Sequence, residues 1–410
     1  MWLPKLKQAS RKGRKVAALQ WAKRNWNLTL QLHKSSSDQL REELKLLLFI
    51  CVLAGSAPIA VFPRYRSRCY DAVQQSWLIV LYAWLCFAAY WDLLHGNIKL
   101  SDLEQKFYGI ESMTYLIHVP CIMILSVSWK QKICAVFDRI AQFDLASGYI
   151  VERRNIGPCI RKHLLVVLIL TSCYIPISYC FCQYEVNRTI IDLSTFVLPN
   201  ILSGISFIPY FIMLQGVCRR MHCITVSLGA ELQKEFPIQR DHLNQLRWQH
   251  INLLQFTKAV NQTFGVSILC VYVSSFFNVN TNLFLAYKNI ENPDVSDWAW
   301  WTYILLWLFM HSAKVFLILF FNHAIQQEQT NCLKLLSKFQ ACSEDLLEAI
   351  NHFMLQLQAN VRAYVACGLI VLDYKFITAL LMATTNVFIF FLQYEITYQA
   401  LAVAANETKI

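Results

Sequence analysis

The 410-residue chain has no Cys-x-x-Cys pair, no His-Glu-x-x-His, no Gly-x-Ser-x-Gly, no Walker loop and no dinucleotide fingerprint. Each of these spacings serves one chemistry: paired thiolates, histidines on one helix face, an exposed serine elbow, or backbone amides around a phosphate. Without them nothing supports a hydrolase, kinase or redox enzyme, and no cofactor is expected. The ten histidines lack metal-ligand spacing. The fifteen cysteines are scattered, mostly in or beside apolar runs, where cysteine acts as a small hydrophobe. Cys180 and Cys182 are too near each other to bridge comfortably, though either could pair with another outer cysteine. No internal repeat is detectable, which weakens a transporter built from inverted halves. Acids are missing before Asp38, whereas nine basic residues precede it. That stretch has no apolar core of signal-peptide length. Its composition fits a cytoplasmic arm in water or on a lipid surface, with a mitochondrial presequence as the competing account.

What the chain does have is apolar length. Hydrophobic residues make up 56% and aromatics 14%, with a mean hydropathy of +0.37. Runs of spanning length recur at 76–94, 112–128, 164–182, 194–217, 264–286, 299–321 and 375–394. An eighth run, 44–62, is interrupted by Gly55 and Pro58 and is expected to enter the membrane and return.

Charge orients these spans. With 44–62 re-entrant, the segments 1–43, 63–75, 129–163, 218–263 and 322–363 share one side and hold 29 Lys and Arg, against 5 on the other side. Acids divide 14 to 10, so the bias belongs to the basic residues, which places that side in the cytoplasm. The sequons at Asn187 and Asn406 then fall outside, as glycosylation requires, whereas those at Asn27 and Asn261 fall inside. The net charge of +11 thus reports topology, and no nucleic-acid partner is implied.

The expected fold is an all-α membrane protein with seven transmembrane helices, the re-entrant segment, a cytoplasmic N-terminus and long cytoplasmic helical extensions. Its parts are a basic arm (1–43), the re-entrant segment (44–62) and a six-helix bundle (76–321) with cytoplasmic helices at 129–163 and 218–263. Anchor helices (322–374), a terminal span (375–394) and an extracellular tail (395–410) follow. Pro237 marks a turn within the 218–263 segment. Leu346, Ile350, Phe353, Leu357, Val361 and Tyr364 recur at helical spacing outside the membrane. Such a stripe packs onto the other cytoplasmic helices, and it also suits pairing with copies of itself.

The terminal span is uncharged from Phe376 to Phe391 and closes on Gln393, Tyr394 and Glu395. A glutamine amide is a poor lipid neighbour, so Gln393 either ends the helix at the interface or faces a pore or bundle interior.

This region resembles the signature of insect gustatory receptors: a Gly, then Leu-Asp, then Thr-Tyr, five hydrophobic residues and Gln-Phe closing the seventh span. Gly368-Leu369, Leu372-Asp373 and Gln393 are in register, Phe388 to Leu392 supply the hydrophobics, and Tyr394 stands for Phe. Asn386-Val387 replaces Thr-Tyr. Gly55-x-x-Pro58 and the basic helix from Trp129 are similar to the family as well. The resemblance implies a ligand-gated, non-selective cation channel of four subunits in the plasma membrane of sensory neurons. Asn386, Phe390, Gln393, Tyr394 and Glu395 would form its pore or gate, with Glu395 gathering cations at the outer mouth. Asp373 and Lys375 fall where the cytoplasmic helix would enter the membrane, either as a hinge contact or as markers of the interface.

The same resemblance places a small-molecule tastant in the outer half of the bundle. Residues there include Tyr115, His118, Tyr174, Tyr179, Asn278, Asn280 and Trp307. Aromatic walls with few carboxylates lean toward an apolar or bitter compound over a sugar. Trp298, Trp300 and Trp301 suit an interfacial belt. His311 and Lys314 share a face of the sixth span, with Lys314 expected to snorkel to the inner side. The competing functions are a G-protein-coupled receptor, which needs the opposite orientation, and a membrane transferase or transporter, which needs mid-membrane polar clusters.

Overall fold

The computed structural model describes Arg41, 44–95, 102–147, 190–232, 240–291, 298–339, 343–360 and 364–407. The arm, the 164–182 span, Pro237, Cys180, Cys182, Tyr174, Tyr179, Asn187 and Trp300's side chain lie outside the described residues or their described side chains. Helix dominates: α1 (Leu44–Leu53), α2 (Arg68–His95), α3 (Asp102–Ser128), α4 (Lys130–Ser147), α5 (Ile190–Ser206), α6 (Ile208–Leu232), α7 (Arg240–Glu291), α8 (Trp298–Leu336), α9 (Glu344–Asn360) and α10 (Lys375–Glu407). A two-stranded hairpin, Val365–Ala366 with Ile370–Val371, joins α9 to α10.

Five described helices are long and apolar enough to cross a membrane, and α3 with α4, bent by 67° at Trp129, pass the same test only as a pair. They coincide with six of the seven expected spans. The chain is a multi-pass membrane protein.

The segment from 44 to 62 does fold back. Arg41 Nε donates to Val61 O at 2.9 Å, so the two ends of the segment meet. Gly55 takes φ +77 at the reversal, where a β-carbon would lie 2.7 Å from Leu78, so both the backbone and the space require glycine. Gln74 of α2 closes the turn, accepting from Ile59 N and donating to Ala57 O. Arg41 and Arg66 share Asp138 of α4, which defines a basic end of the molecule.

At that end α6, α7 and α8 run on past the expected spans as continuous helices, whereas α4 is set off from α3 by the bend at Trp129. At about 1.5 Å per residue, the 52-residue α7 is more than twice as long as the hydrocarbon core is thick. Leu346, Ile350, Phe353 and Leu357 of α9 are buried within the chain, with Phe353 edge-on to His250 of α7. Their own chain therefore occupies the stripe, which corrects its expected availability for pairing with copies. Deeper in, Tyr210, Asn261 and Asn322 tie α6, α7 and α8 by mutual hydrogen bonds of 2.6 to 3.3 Å. Asn261 is buried in this knot, away from any glycosylation.

Candidate functional site: a polar cluster in the bundle and an outward stripe on the last helix

Two groups of predicted residues have different fates. The first is gathered inside the bundle. Tyr115 of α3 is buried and donates its hydroxyl to Asn200 Oδ1 of α5, while His311 Nε2 of α8 lies 3.2 Å from the Tyr115 hydroxyl oxygen. Which of the two groups donates across this contact is set by the imidazole tautomer. His311 Nδ1 is buried with no hydrogen-bond partner among the described residues. His118, one turn along α3, sets Nδ1 3.1 Å from Cys270 O and Nε2 3.4 Å from Ser206 Oγ. Trp307 is buried one turn before His311, with ring centroids 5.7 Å apart, and Tyr303 stands edge-on to it.

Lys314 differs from expectation. It is only 3% exposed, and its ammonium donates to Ser203 Oγ at 3.4 Å instead of reaching for the basic end. It lies within electrostatic reach of both His118 and His311. A charge at this depth costs about 3 kcal/mol on insertion scales and marks a functional position by default. Asn278 is buried on α7, donating to Ser274 O, and Asn280 donates to Phe276 O. The side-chain oxygens of both, and of Asn282, have no hydrogen-bond partner among the described residues.

The second group lies on α10. This helix packs along α7: Phe376 on Tyr272, Phe388 on Tyr287 and Phe391 on Phe284, with ring centroids 5.2 to 6.3 Å apart. Asn386, Phe390 and Gln393 are exposed on the other side, at spacings of four and three that make one stripe. Tyr394 flanks it, also exposed. Glu395 does not join them. Nine residues past Asn386, at about 100° each, bring it round to the packed face. There it is 6% exposed, paired with Lys288 of α7 and hydrogen-bonded to Gln399. This corrects the expectation of a free acidic ring. The helix also continues to Glu407, so Gln393 does not end it.

The hairpin explains the other matching residues. Gly368 has φ +71 at its turn, Leu372 is fully buried, and Asp373 Oδ1 accepts from Tyr374 N at the start of α10. A carboxylate there complements the positive end of the helix dipole.

A profile of the family described as 7tm Chemosensory receptor matches residues 44–398. The chain belongs to this family. The receptor is 38% identical to gustatory receptor 59f of Drosophila melanogaster over 373 residues, covering 90% of its own length and 92% of that relative. It is 30% identical to Drosophila gustatory receptor 59e over 131 residues, covering 32% of the receptor and 33% of that protein. Its fold is similar to the insect olfactory receptor OR5 of Machilis hrabei in complex with eugenol, with a TM-score of 0.62 at 11% identity. That match covers 87% of the receptor and 99% of the solved chain. Another OR5 structure gives 0.58 at 12%, with the same coverage of each chain. The receptor is thus a multi-pass chemosensory membrane protein and not an enzyme.

Sequence reasoning missed Asn200, Ser203 and Lys288. A signal existed for each. Asn200 and Ser203 are polar residues three apart within an apolar run, and Lys288 is a lone cation at the end of a span near the level of Glu395.

Proposed function

We propose that the receptor is a ligand-gated, non-selective cation channel that detects a small tastant. The observation that carries this is α10: none of its most apolar window is buried within the chain, yet it presents Asn386, Phe390 and Gln393 in one line. Amides on a bare membrane helix fit an aqueous conduit enclosed by several copies, and four is the number the family resemblance implies. The cluster around Tyr115, His118, Asn278, Trp307 and His311 is the ligand pocket. It offers aromatic wall and a few directed polar groups, as small-molecule sites do. The family resemblance assigns Tyr174 and Tyr179 to the same pocket. Its poverty in carboxylates favours a bitter or otherwise partly apolar compound over a sugar. The receptor resides in the plasma membrane of sensory neurons, with the N-terminus cytoplasmic, the C-terminus outside and sugars on Asn187 and Asn406.

Whole-cell recording from cells expressing the receptor, alone and with related subunits, against a tastant panel tests this reading. Agonist-evoked cation current insensitive to G-protein blockade is expected. Responses abolished by that blockade, together with a C-terminal tag reached only after permeabilisation, would replace it with a G-protein-coupled receptor.

A further inference from the structure

At the basic end of the molecule the turn after the re-entrant segment meets the start of α2 and the start of α4. The segments 63–75 and 129–139 hold Arg64, Arg66, Arg68, Lys130, Lys132 and Arg139 against two acids, Asp71 and Asp138. Both acids are engaged: Asp138 by Arg41 and Arg66, Asp71 by Lys130. Arg64, Arg68 and Lys132 are exposed and form no ion pair among the described residues. Lys132 rests its ammonium 4.8 Å from the centre of the Trp129 ring. The patch is held in shape. Tyr65 and Tyr70 meet edge-on with centroids 4.9 Å apart, which closes the loop carrying Arg66 and Arg68. Arg66 then ties that loop to both oxygens of Asp138, at 2.9 and 3.0 Å, and to Ala60 O.

The neighbouring helix sets the depth of this patch. Tyr70, Val73, Trp77, Val80, Trp84 and Phe87 of α2 are all exposed, at steps of three and four that make one line. From Tyr70 to Phe87 that line runs about 26 Å, most of the thickness of the hydrocarbon core. Its foot is the basic turn, through the contact of Tyr70 with Tyr65. An apolar track of acyl-chain length therefore ends on exposed guanidinium groups, with tyrosines at the join, where amphipathic rings sit in a bilayer. In the topology proposed above this end lies in the cytoplasmic leaflet, the one rich in anionic lipid.

We propose that this corner binds an anionic phospholipid, with its headgroup against Arg64, Arg68 and Lys132 and an acyl chain along the exposed line of α2. Guanidinium groups match phosphate oxygens in a bidentate fork, and Lys132 adds a point charge. A zwitterionic headgroup brings its own cation and gains less from the same surface, so the site selects by net charge. Occupancy would brace the re-entrant segment, since the turn that takes the headgroup is the one Arg66 fastens to Ala60 and Asp138. The site is separate from the polar cluster and from α10, and it stands whether or not α10 lines a conduit.

The test uses the purified full-length receptor in detergent, given phosphatidylcholine, phosphatidylserine and phosphatidylinositol in equal amounts. Lipid retained after gel filtration is counted by mass spectrometry, and thermal melting is followed with each lipid alone. Anionic lipid should be retained about tenfold over phosphatidylcholine, should raise the melting temperature, and should lose its advantage at high salt. Each of Arg64→Gln, Arg68→Gln and Lys132→Gln should lower the preference about fivefold, and the first two together should erase it. Lys334→Gln with Lys338→Gln makes the same change of charge at exposed positions at the far end of α8, and should leave the preference intact. Should the paired arginine variant fail to fold, the wild-type preference and Lys132→Gln decide. Equal retention of neutral and anionic lipid, an equal loss in the α8 variant, or displacement of the lipid by excess inorganic phosphate overturns the proposal. None of these outcomes bears on the channel reading, which the recordings test.

Discussion

The span from Val197 to Glu231 and the span from Lys375 to Leu401 are both strongly apolar, yet 72% of the first one's most apolar window is buried and none of the second's. The first is held on several sides by α3, α7 and α8, and its polar residues turn inward as Asn200, Ser203 and Tyr210. The second touches α7 along one face and leaves Asn386, Phe390 and Gln393 on the other. Hydropathy measures preference for a non-aqueous place, and protein interior, lipid and subunit interface all qualify. What separates the two helices is therefore how many neighbours each has inside one chain. The buried helix builds a site; the bare helix is where copies or lipid must complete the structure.

The largest expected effect comes from truncating the buried side. Phe137→Ala, in the core beside α6 and α7, should cost about 4 kcal/mol and remove the receptor from the cell surface, measured by biotinylation and thermal melting in detergent. Phe390→Ala, 61% exposed on α10, should leave surface level and melting unchanged while altering the current. Equal losses from both would mean the stripe packs within the chain.

The joint between the two regions is sharpened by the Lys288 and Glu395 pair. Removing one charge of a buried pair is costly, so Glu395→Gln should lower stability by about 3 kcal/mol. Glu395→Lys should be worse, through misfolding and not through lost cation attraction. Joint replacement by Leu should recover most of the melting temperature. If Glu395→Lys instead reaches the surface normally and only reduces cation conductance, Glu395 faces the conduit.

Pocket substitutions come next. His118→Ala and Trp307→Ala should shift agonist dose–response by about tenfold, with surface expression measured in parallel; unchanged curves for both remove them from the pocket. Gln393→Ala should change basal leak or gating with stability altered by less than about 0.5 kcal/mol. An unaffected leak and agonist response would place Gln393 against lipid. The smallest effect is on mass. Asn187→Gln and Asn406→Gln should each remove one glycosidase-sensitive shift on a gel without changing current.

Much of the architecture was legible because period and length survive without contacts. Spans, the reversal at Gly55 and the helical stripe of α9 follow from apolar runs, a residue tolerant of positive φ and three-to-four spacing. The signature Gly, Leu and Asp before the last span were visible as a pattern, and the hairpin turn, buried leucine and helix start supply their reasons. Side-chain destinations were less legible. Lys314 sits where length would let it reach toward the basic end, yet the fold brings Ser203 of α5 within hydrogen-bond reach of it. Glu395 follows the polar Gln393 in sequence, and a turn of helix carries it to the other face.

The sequence by itself determined that this chain lives in a membrane, that it crosses more than once, and which family it resembles, because hydrophobic length and charge bias act on each segment separately. Tertiary structure alone decided which polar residues meet. Tyr115, Asn200 and His311 come from three helices, and Lys288 and Glu395 are more than a hundred residues apart. Pairing at such separations depends on how helices rotate and pack against one another, which no single segment encodes.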